Sequence, residues 1–442
     1  MTRVLIRGGR VIDPASNFDQ VAVVAVAAGR ILSIAESAPP NFSPDHVIDA
    51  SGCLVIPGLV DLCARLGEPG HEHEGMLESE TAAAVAGGIT SVVCPPDTDP
   101  VLDEPGLVQM LQFRSAKLRR CRVHPLGALT RRLEGEILTE MIELTQAGCV
   151  GFGQAEVSLA NTQVLLRAMQ YAATFGYRVW LRPEEMYLGR GVAASGALAT
   201  RLGLSGIPVV AETIALHTIF DLARVTGARV HLCRLSSAAG VDLVRVAKSE
   251  GLAISCDVSV NSLHLTDIDI SYFDSRARLR PPLRQQGDRA ALRQALWDGT
   301  IDALVSDHSP VSEDRKTLPF AEAEPGATGL ELLLSLALKW GEDQNLRSDS
   351  GPTRLMRALR VLSCQPAAIL QDHVGQDLAG IGRLAVGALA DICVVDPAAH
   401  WTVSDQSLSS QGKHTPFAGQ ELPGRVRATL VGGDIAYQTS HG

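Results

Sequence analysis

The sequence predicts an α/β protein, a TIM (β/α)8 barrel with a small β-sandwich domain formed by both termini. The middle of the 442-residue chain alternates short apolar segments with helical patterns, whereas both ends contain only short apolar runs. Eight βα units in about 320 residues match the size of a TIM barrel. The alternative is an open doubly wound sheet, which is disfavoured because no Gly-rich phosphate loop follows the first barrel strand.

The elements follow this division of the chain. Residues 1–56 and 384–442 are predicted to form the composite β-sandwich domain, because their apolar runs are short and several are separated by Gly or Pro turns. Residues 57–383 are predicted to form the barrel. Its strands are expected near 58–62, 89–94, 122–128, 149–153, 178–182, 228–234, 253–257 and 302–307. The polar segment 405–424, which contains Gly and Pro, is predicted to be a long surface loop.

The composition excludes several classes of function. A net charge of −10 argues against nucleic acid or an anionic membrane as the main partner. No apolar run reaches the roughly 18 residues that span a bilayer, and the N-terminus has no signal-peptide pattern. Nine cysteines occur singly without a CxxC motif, which indicates neither a disulfide framework nor a thiolate zinc site. We therefore expect a cytoplasmic protein.

The most informative segment is the end of the first predicted barrel strand. An apolar run ends at Asp61, and Leu62-Cys63-Ala64-Arg65 follows. Chemistry in TIM barrels lies at the C-terminal ends of the strands. Arginine stays protonated and has no lone pair for a metal ion. This strand end therefore carries residues that do not suit metal binding.

Several motifs together resemble the dihydroorotase family of cyclic amidohydrolases, and the resemblance covers nearly the whole chain. They are Gly87-Gly88-Ile89-Thr90-Ser91-Val92-Val93-Cys94-Pro95-Pro96, Pro281-Pro282-Leu283-Arg284, Asp298-Gly299-Thr300-Ile301-Asp302, Ser306-Asp307-His308-Ser309-Pro310 and Thr415-Pro416-Phe417. The resemblance implies an amidohydrolase-like barrel. In that family, histidines and a bridging carboxylate hold two zinc ions that activate water.

The resemblance also implies where functional residues would lie, and most of those positions are altered. The four zinc-histidine positions hold Cys63, Arg65, Arg182 and Arg234. The substrate-binding positions hold Gly67, Asp97, Arg280 and Val311. Residues 151–156 offer neither lysine nor aspartate as the bridging ligand. Only the strand-8 aspartate, Asp307, remains, as a vestige. We therefore predict no catalytic residue, no metal, no substrate-binding set and no cofactor.

These losses suggest a role in assembly. The hypothesis is that the chain is not an enzyme. It looks most like the non-catalytic dihydroorotase-like subunit that some bacteria combine with the catalytic chain of aspartate carbamoyltransferase. The resemblance implies a hetero-oligomer in pyrimidine biosynthesis, with no nucleic acid and no membrane as partner. The alternative is a re-tooled or metal-independent cyclic amidohydrolase, dihydroorotase- or hydantoinase-like, that uses Asp307 as its base.

Other residues allow a functional and a structural interpretation. His71 and His73 could form a relocated metal pair but are expected to be solvated on a loop. Cys63 could be a thiolate nucleophile, although no histidine base stands beside it in the sequence. For His231, His264 and His308, structural roles are expected. The charge-rich segment Lys117–Arg120, expected to be helical, is either a solvated face or a partner surface.

The vacated metal centre carries a prediction of its own. An unpaired buried carboxylate is costly. We therefore predict that a guanidinium of Arg65, Arg182 or Arg234 fills the zinc space and pairs with Asp307. Mutual repulsion among the arginines requires further acceptors, such as Glu184, Gln154 or backbone carbonyls.

Overall fold

The computed structural model describes residues 2–343, 353–371 and 378–439. The strands are β1 (Val4–Asp13), β2 (Phe18–Ala27), β3 (Arg30–Ala35), β4 (His46–Asp49), β5 (Leu54–Pro57), β6 (Leu59–Asp61), β7 (Ile89–Cys94), β8 (Arg122–Pro125), β9 (Gly127–Ala128), β10 (Phe152–Gly153), β11 (Arg178–Leu181), β12 (Ala193–Ala194), β13 (Gly206–Ile207), β14 (Arg229–Leu232), β15 (Ile254–Ser259), β16 (Ala303–Val305), β17 (Ile392–Thr402), β18 (Glu421–Val431) and β19 (Asp434–Gln438). The α-helices are α1 (Leu77–Ala86), α2 (Pro105–Leu118), α3 (Met141–Ala147), α4 (Thr162–Phe175), α5 (Ala197–Leu202), α6 (Val209–Thr226), α7 (Ala238–Ser249), α8 (Val260–His264), α9 (Gln286–Asp298), α10 (Glu313–Lys316), α11 (Leu333–Gly341), α12 (Arg354–Arg360) and α13 (Cys364–Gln371).

The barrel is built from parallel strands in the order β6-β7-β8 and β9-β10-β11-β14-β15-β16. β8 and β9 are successive parts of one strand, interrupted at Leu126, whose N–H donates to the Cys94 carbonyl at 2.9 Å. The barrel closes where Ala64 pairs with His308, and the Arg65 N–H donates to the His308 carbonyl at 2.8 Å. The predicted (β/α)8 barrel is confirmed.

The two ends of the chain share one sheet. Its order is β19-β18-β17-β5-β1-β2-β3, with β4 added to β1. β17 pairs antiparallel with β5, so that Ile392 lies opposite Pro57. A separate apolar core, which includes Val24 and Leu430, stabilises this unit. The composite β-domain is therefore present, as the fold class predicted, while the boundaries at 56/57 and 383/384 stay a prediction.

The segment predicted as a surface loop is anchored in the structure. It is irregular until β18 begins at Glu421, but Ser410 and Phe417 are buried. The buried Glu80 carboxylate accepts hydrogen bonds from Ser410 Oγ at 2.6 Å and from the Gln411 N–H at 2.9 Å. The prediction of a loop is therefore correct for residues 405–420, but only part of the segment lies at the surface, because carboxylates such as that of Glu80 hold its polar groups.

The strand ends form a single barrel mouth, and buried polar contacts fix the seam beside it. Asp61 accepts hydrogen bonds from the backbone and side chain of Ser306. Burial raises the pKa of Asp61 to about 6 although the bonds from Ser306 oppose that change. His308 Nε2 lies 2.8 Å from the Glu80 carboxylate. Within the described ranges, no helix is long and apolar enough to cross a bilayer.

Candidate active site at the barrel mouth

A cavity of about 300 Å³ opens at the C-terminal ends of the barrel strands. Its charged lining includes Arg65, Asp97, Glu156, Arg234, Arg280 and Asp307. Strand ends distant in sequence supply these side chains, which is how a TIM barrel builds a site. The predicted positions Arg65, Asp97, Arg234, Arg280 and Asp307 are thus brought together in one place.

Glu156 is the centre of this site. It follows β10 after a turn at Ala155, whose φ is 48°. Its Oε1 lies 2.9 Å from Arg65 Nη2 and also contacts Arg234 Nη2. Its Oε2 lies 2.8 Å from Arg182 Nε. One carboxylate therefore binds the arginines at three of the four former zinc-ligand positions.

The surroundings keep Glu156 ionised. Burial by itself would raise the pKa of this carboxyl group, but the guanidinium groups of Arg234, Arg182 and Arg65 outweigh it. The pKa of Glu156 is consequently held well below its usual range. The side chain is 28% exposed, so the site remains open to solvent on one side.

The predicted ion pair with Asp307 is confirmed. Arg234 Nη1 donates to Asp307 Oδ1 at 2.9 Å. Both residues have left-handed backbone conformations, with φ values of 57° and 52°. Such conformations are costly for non-glycine residues and are common at functional sites. Burial raises the pKa of Asp307 although Arg234 opposes the change.

Two further carboxylates complete the network. Glu184 accepts from Arg182 at 2.8 Å and also binds Arg280. Asp97 accepts from the Nε and Nη2 of Arg65 at 3.0 and 2.8 Å. The predicted acceptor Glu184 is thus in place. Gln154 is not part of the network, because its amide bonds Thr130 and the Leu133 carbonyl instead.

The network is neutral overall. Its cations are the guanidinium groups of Arg65, Arg182, Arg234 and Arg280, and its anions are the carboxylates of Asp97, Glu156, Glu184 and Asp307. Four guanidinium groups carry the same total charge as two divalent cations. Mutual pairing is the condition under which charges are tolerated at buried positions.

These residues do not fit a binuclear zinc site. Zinc requires imidazole, thiolate or carboxylate lone pairs, and three of the four former ligand positions present guanidinium groups that already bind carboxylates. At the fourth position, burial raises the pKa of the Cys63 thiol far above its ordinary value. This also removes the basis for a reactive Cys63 thiolate. No catalytic step is therefore assigned to a zinc ion in this cavity.

A second group of potential ligands lies deeper in the barrel. His231, Cys233 and Asp257 place one donor atom each within 4.8 Å of one another. His231 is already bonded, through Nδ1 to Ser255 at 2.9 Å and through Nε2 to Asp257 at 2.8 Å. The other Asp257 oxygen accepts the Arg234 N–H at 2.7 Å. This group orients the backbone of Arg234, which accounts for it without a metal.

The remaining predicted positions have structural explanations. Gly67 has φ of 75°, and a Cβ there would lie 1.8 Å from the Gly75 carbonyl oxygen, so no side chain fits. Val311 is buried and lines the cavity. His71 and His73 lie on the loop after β6 and are about half exposed, next to Glu74. His264 Nε2–H donates to the Leu336 carbonyl at 2.9 Å.

The central role of Glu156 was not predicted from the sequence. The expected bridging ligand at residues 151–156 was a lysine or an aspartate, and the glutamate at the end of that run matches neither. The available signal was electrostatic. Three arginines predicted around one centre needed acceptors, and Glu156 is an acidic residue just beyond a barrel strand.

Comparison with known proteins gives a consistent family. Residues 52–239 match the family model described as Dihydro-orotase-like. The chain is 43% identical to a Dihydroorotase-like protein of Pseudomonas aeruginosa, covering 98% of this chain and 99% of that protein. It is 38% identical to a Dihydroorotase of Trichlorobacter lovleyi, with the same coverage of both chains.

Solved structures support the fold. The L-hydantoinase (dihydropyrimidinase) of Arthrobacter aurescens superposes with a TM-score of 0.84 at 23% identity, covering 99% of this chain and 96% of that chain. Dihydropyrimidinase from Brevibacillus agri gives a TM-score of 0.83 at 20% identity, covering 99% and 95%. At these identities the likeness shows the architecture alone, a cyclic-amidohydrolase fold.

The relatives correct one expectation from the sequence. The prediction that the chain is not an enzyme is wrong by this comparison, because relatives aligned over 98% of the chain at 37–38% identity carry the enzyme name Dihydroorotase. The lost histidines concern only zinc chemistry at one set of positions. With this fold and these relatives, the chain belongs to the dihydroorotase-like family.

Proposed function

We propose that this chain binds the catalytic chain of aspartate carbamoyltransferase in the cytoplasm and helps to assemble and stabilise that enzyme in pyrimidine biosynthesis. The observation that carries the proposal is the neutral network at the barrel mouth. It replaces the donor set of the family's zinc site with arginine–carboxylate pairs. A barrel ordered in this way needs no metal to present a fixed surface to another protein.

The relatives are consistent with this role. Two proteins at 42–43% identity carry the name Dihydroorotase-like protein, and the match extends over 98% of this chain. The partner itself comes from the resemblance of the motifs to dihydroorotase-like subunits. The complex is proposed to be a stable hetero-oligomer, and such interfaces typically bury more than about 2,000 Å² in total.

Co-expression with the aspartate carbamoyltransferase chain tests the proposal. We expect the two chains to elute together in gel filtration at micromolar concentration, and the transcarbamoylase to be less assembled or less active when this chain is deleted. A hydantoinase of the same fold serves as the control and should elute separately from the transcarbamoylase. Separate elution of this chain would contradict the proposed partnership.

A second candidate function is hydrolysis of a cyclic amide without zinc, and the names of the dihydroorotase relatives favour it. In this proposal Asp307 takes a proton from water while the water oxygen attacks the amide carbon. The C–N bond then breaks, and the proton passes from Asp307 to the leaving nitrogen. Burial raises the pKa of Asp307, which makes it a stronger base than an ordinary aspartate, and Arg234 stands beside it to stabilise an oxyanion.

Turnover of dihydroorotate by the purified chain in a chelator tests this second candidate. We expect activity that Asp307→Asn abolishes and that Glu134→Gln, a change at an exposed residue, leaves intact. Metal analysis accompanies the assay, because about two zinc ions per chain would indicate metal-dependent chemistry. Absence of turnover both with and without zinc would contradict this candidate and leave the assembly role untouched.

A further inference from the structure

A second large cavity lies at the opposite end of the barrel from the mouth. It has a volume of about 570 Å³ and lies between the C-terminal end of α2, the start of β8 and the β18–β19 turn. We call it the floor pocket. Its polar and charged lining comprises Gln112, Ser115, Arg119, Arg120, Arg122, His124 and Asp434. Neither of the proposed functions uses this cavity.

The local sequence concentrates positive charge here. The segment Lys117–Arg120 was expected to be helical, but α2 ends at Leu118 and Arg119 has a left-handed φ of 50°. The chain then reverses into β8, which begins at Arg122. The floor pocket is therefore lined by three guanidinium groups and one carboxylate, that of Asp434.

Part of this charge is already compensated. Arg122 Nη1 pairs with the buried Asp391. Arg120 donates to the Glu78 carbonyl, and its Nη2 is 3.6 Å from the Glu78 carboxylate. Arg119 is exposed, and no contact with another described residue engages its guanidinium group. Arg119 is thus the cation available to an incoming anion.

The pocket also leaves room beside Arg122. A Cβ at Gly432 would stand 3.2 Å from Arg122 Nη2, and Gly432 has φ of 55°. A side chain at this position would crowd the guanidinium group and strain the backbone. With glycine there, the guanidinium group of Arg122 is not crowded from this side.

His124 contributes a buried imidazole to the wall of the floor pocket. This side chain is 7% exposed, and among the described residues no hydrogen-bond partner is found for its buried Nε2. A buried polar group without a partner costs about 1–3 kcal/mol. Burial, with help from Arg122, lowers the pKa of His124 to about 4, so the ring is neutral at pH 7. A neutral imidazole can donate one N–H to an anionic oxygen.

We infer that the floor pocket binds a phosphate-bearing small molecule, with its phosphate group between Arg119, Arg122 and His124. A phosphate offers several strong acceptor oxygens, and arginine is suited to binding them. Val123 and Val431 line the same pocket and supply an apolar wall for the rest of the ligand. The volume is larger than free phosphate requires, which favours a phosphate ester.

Calorimetric titration of the full chain at low salt tests the inference, with inorganic phosphate in one arm and ribose 5-phosphate in the other. We expect binding in at least one arm, tighter for the ester if the apolar wall contributes. Arg119→Ala should weaken binding by about tenfold, since it removes a charge-assisted contact. Arg119 is exposed and unengaged among the described residues, so this variant should fold normally.

Two further measurements make the test specific to this pocket. Arg201→Ala, at an exposed arginine on α5, is the matched control and should leave the affinity unchanged. In histidine-selective NMR, the ligand should shift the His124 imidazole resonances, and His124→Phe should weaken binding. Absence of binding up to about 10 mM, equal weakening by both arginine variants, or unchanged His124 resonances would each overturn the inference.

Discussion

Glu156 contacts three guanidinium groups, so no other carboxylate of the network can balance the same three positive charges. We predict that Glu156→Gln lowers the free energy of unfolding by about 2–4 kcal/mol, because the network is left with one excess positive charge at a largely buried position. Chemical denaturation at pH 7 measures the change. The exposed Glu134→Gln variant is the control and should stay within about 0.5 kcal/mol of the wild type.

The same residue predicts a dependence on pH. The pKa of Glu156 is depressed in the folded state, so its contribution is present above the pKa of an unfolded glutamate, about 4.3, and is lost as the pH falls further. We expect the stability difference between wild type and Glu156→Gln to be constant from about pH 7 to 5 and smaller at about pH 3.5. A difference that grows in acid would contradict this assignment.

Asp307 gives a prediction that separates pairing from metal binding. Asp307→Ala leaves Arg234 with a single carboxylate partner, Glu156. We therefore expect a lower melting temperature for this variant in protein treated with a chelator, with a loss of about 3–5 kcal/mol if the pair behaves as fully buried. The chelator alone should not change the melting temperature of the wild type. A large effect of the chelator on the wild type would show that a metal contributes to stability.

At the scale of single residues, part of the site could be predicted from the sequence. The arginines at three zinc-ligand positions and their pairing with Asp307 were predictable, because an unpaired buried carboxylate is costly. The choice of Arg234 as the partner and of Glu156 as the centre was not. Both depend on backbone turns with positive φ at Ala155, Arg234 and Asp307, which side-chain chemistry alone does not indicate.

At the scale of elements, Glu80 on α1 connects three parts of the molecule. Its carboxylate binds His308 after β16 and the segment before β18 through Ser410 and Gln411. Burial would raise the pKa of Glu80, but the hydrogen bond from His308 and the further bonds outweigh it and lower the pKa. The carboxylate therefore stays charged and continues to hold the irregular segment against the barrel.

We predict that Glu80→Ala loosens residues 405–420. The variant removes the acceptor for four hydrogen bonds, those from Ser79, His308, Ser410 and Gln411. The His308 and Ser410 donors are left buried without it, which should cost about 3–5 kcal/mol and lower the melting temperature. Limited proteolysis should cleave within 405–420 faster than in the wild type. The neighbouring Glu78→Ala, at an exposed carboxylate, should show wild-type cleavage. Equal protection of the segment in both variants would contradict the anchoring role of Glu80.

The positions of the strands were predicted better than the long-range contacts around them. All eight barrel strands lie near their predicted positions, because short apolar runs followed by helical patterns are a strong local signal. The partial burial of segment 405–424 was not predicted, because its polar residues suggested contact with solvent. Their partners, such as Glu80, lie more than 300 residues away in the sequence, and no local pattern reveals such contacts.

For the whole molecule, the pairing of β5 with β17 makes the two termini interdependent. A chain ending at residue 383 would lack β17, β18 and β19 and expose apolar side chains of the β-domain core. We predict that such a chain is insoluble when expressed, because an unpaired apolar strand edge promotes aggregation. A chain ending at Thr439 keeps all three strands and should be soluble. A soluble, folded 1–383 chain would show that the barrel is independent of the β-domain.

The pairing of β5 with β17 also sets an order of events during synthesis. The edge of β5 that pairs with β17 stays unpaired until Ile392 and its neighbours leave the ribosome, about 335 residues later. At about 5–20 residues per second this delay is roughly 20–70 s. Through that time the nascent chain carries an open strand edge. The position of β17 late in the chain therefore exposes the nascent protein to aggregation for this whole period. A barrel whose first strands pair with neighbours in sequence would not carry this risk for so long.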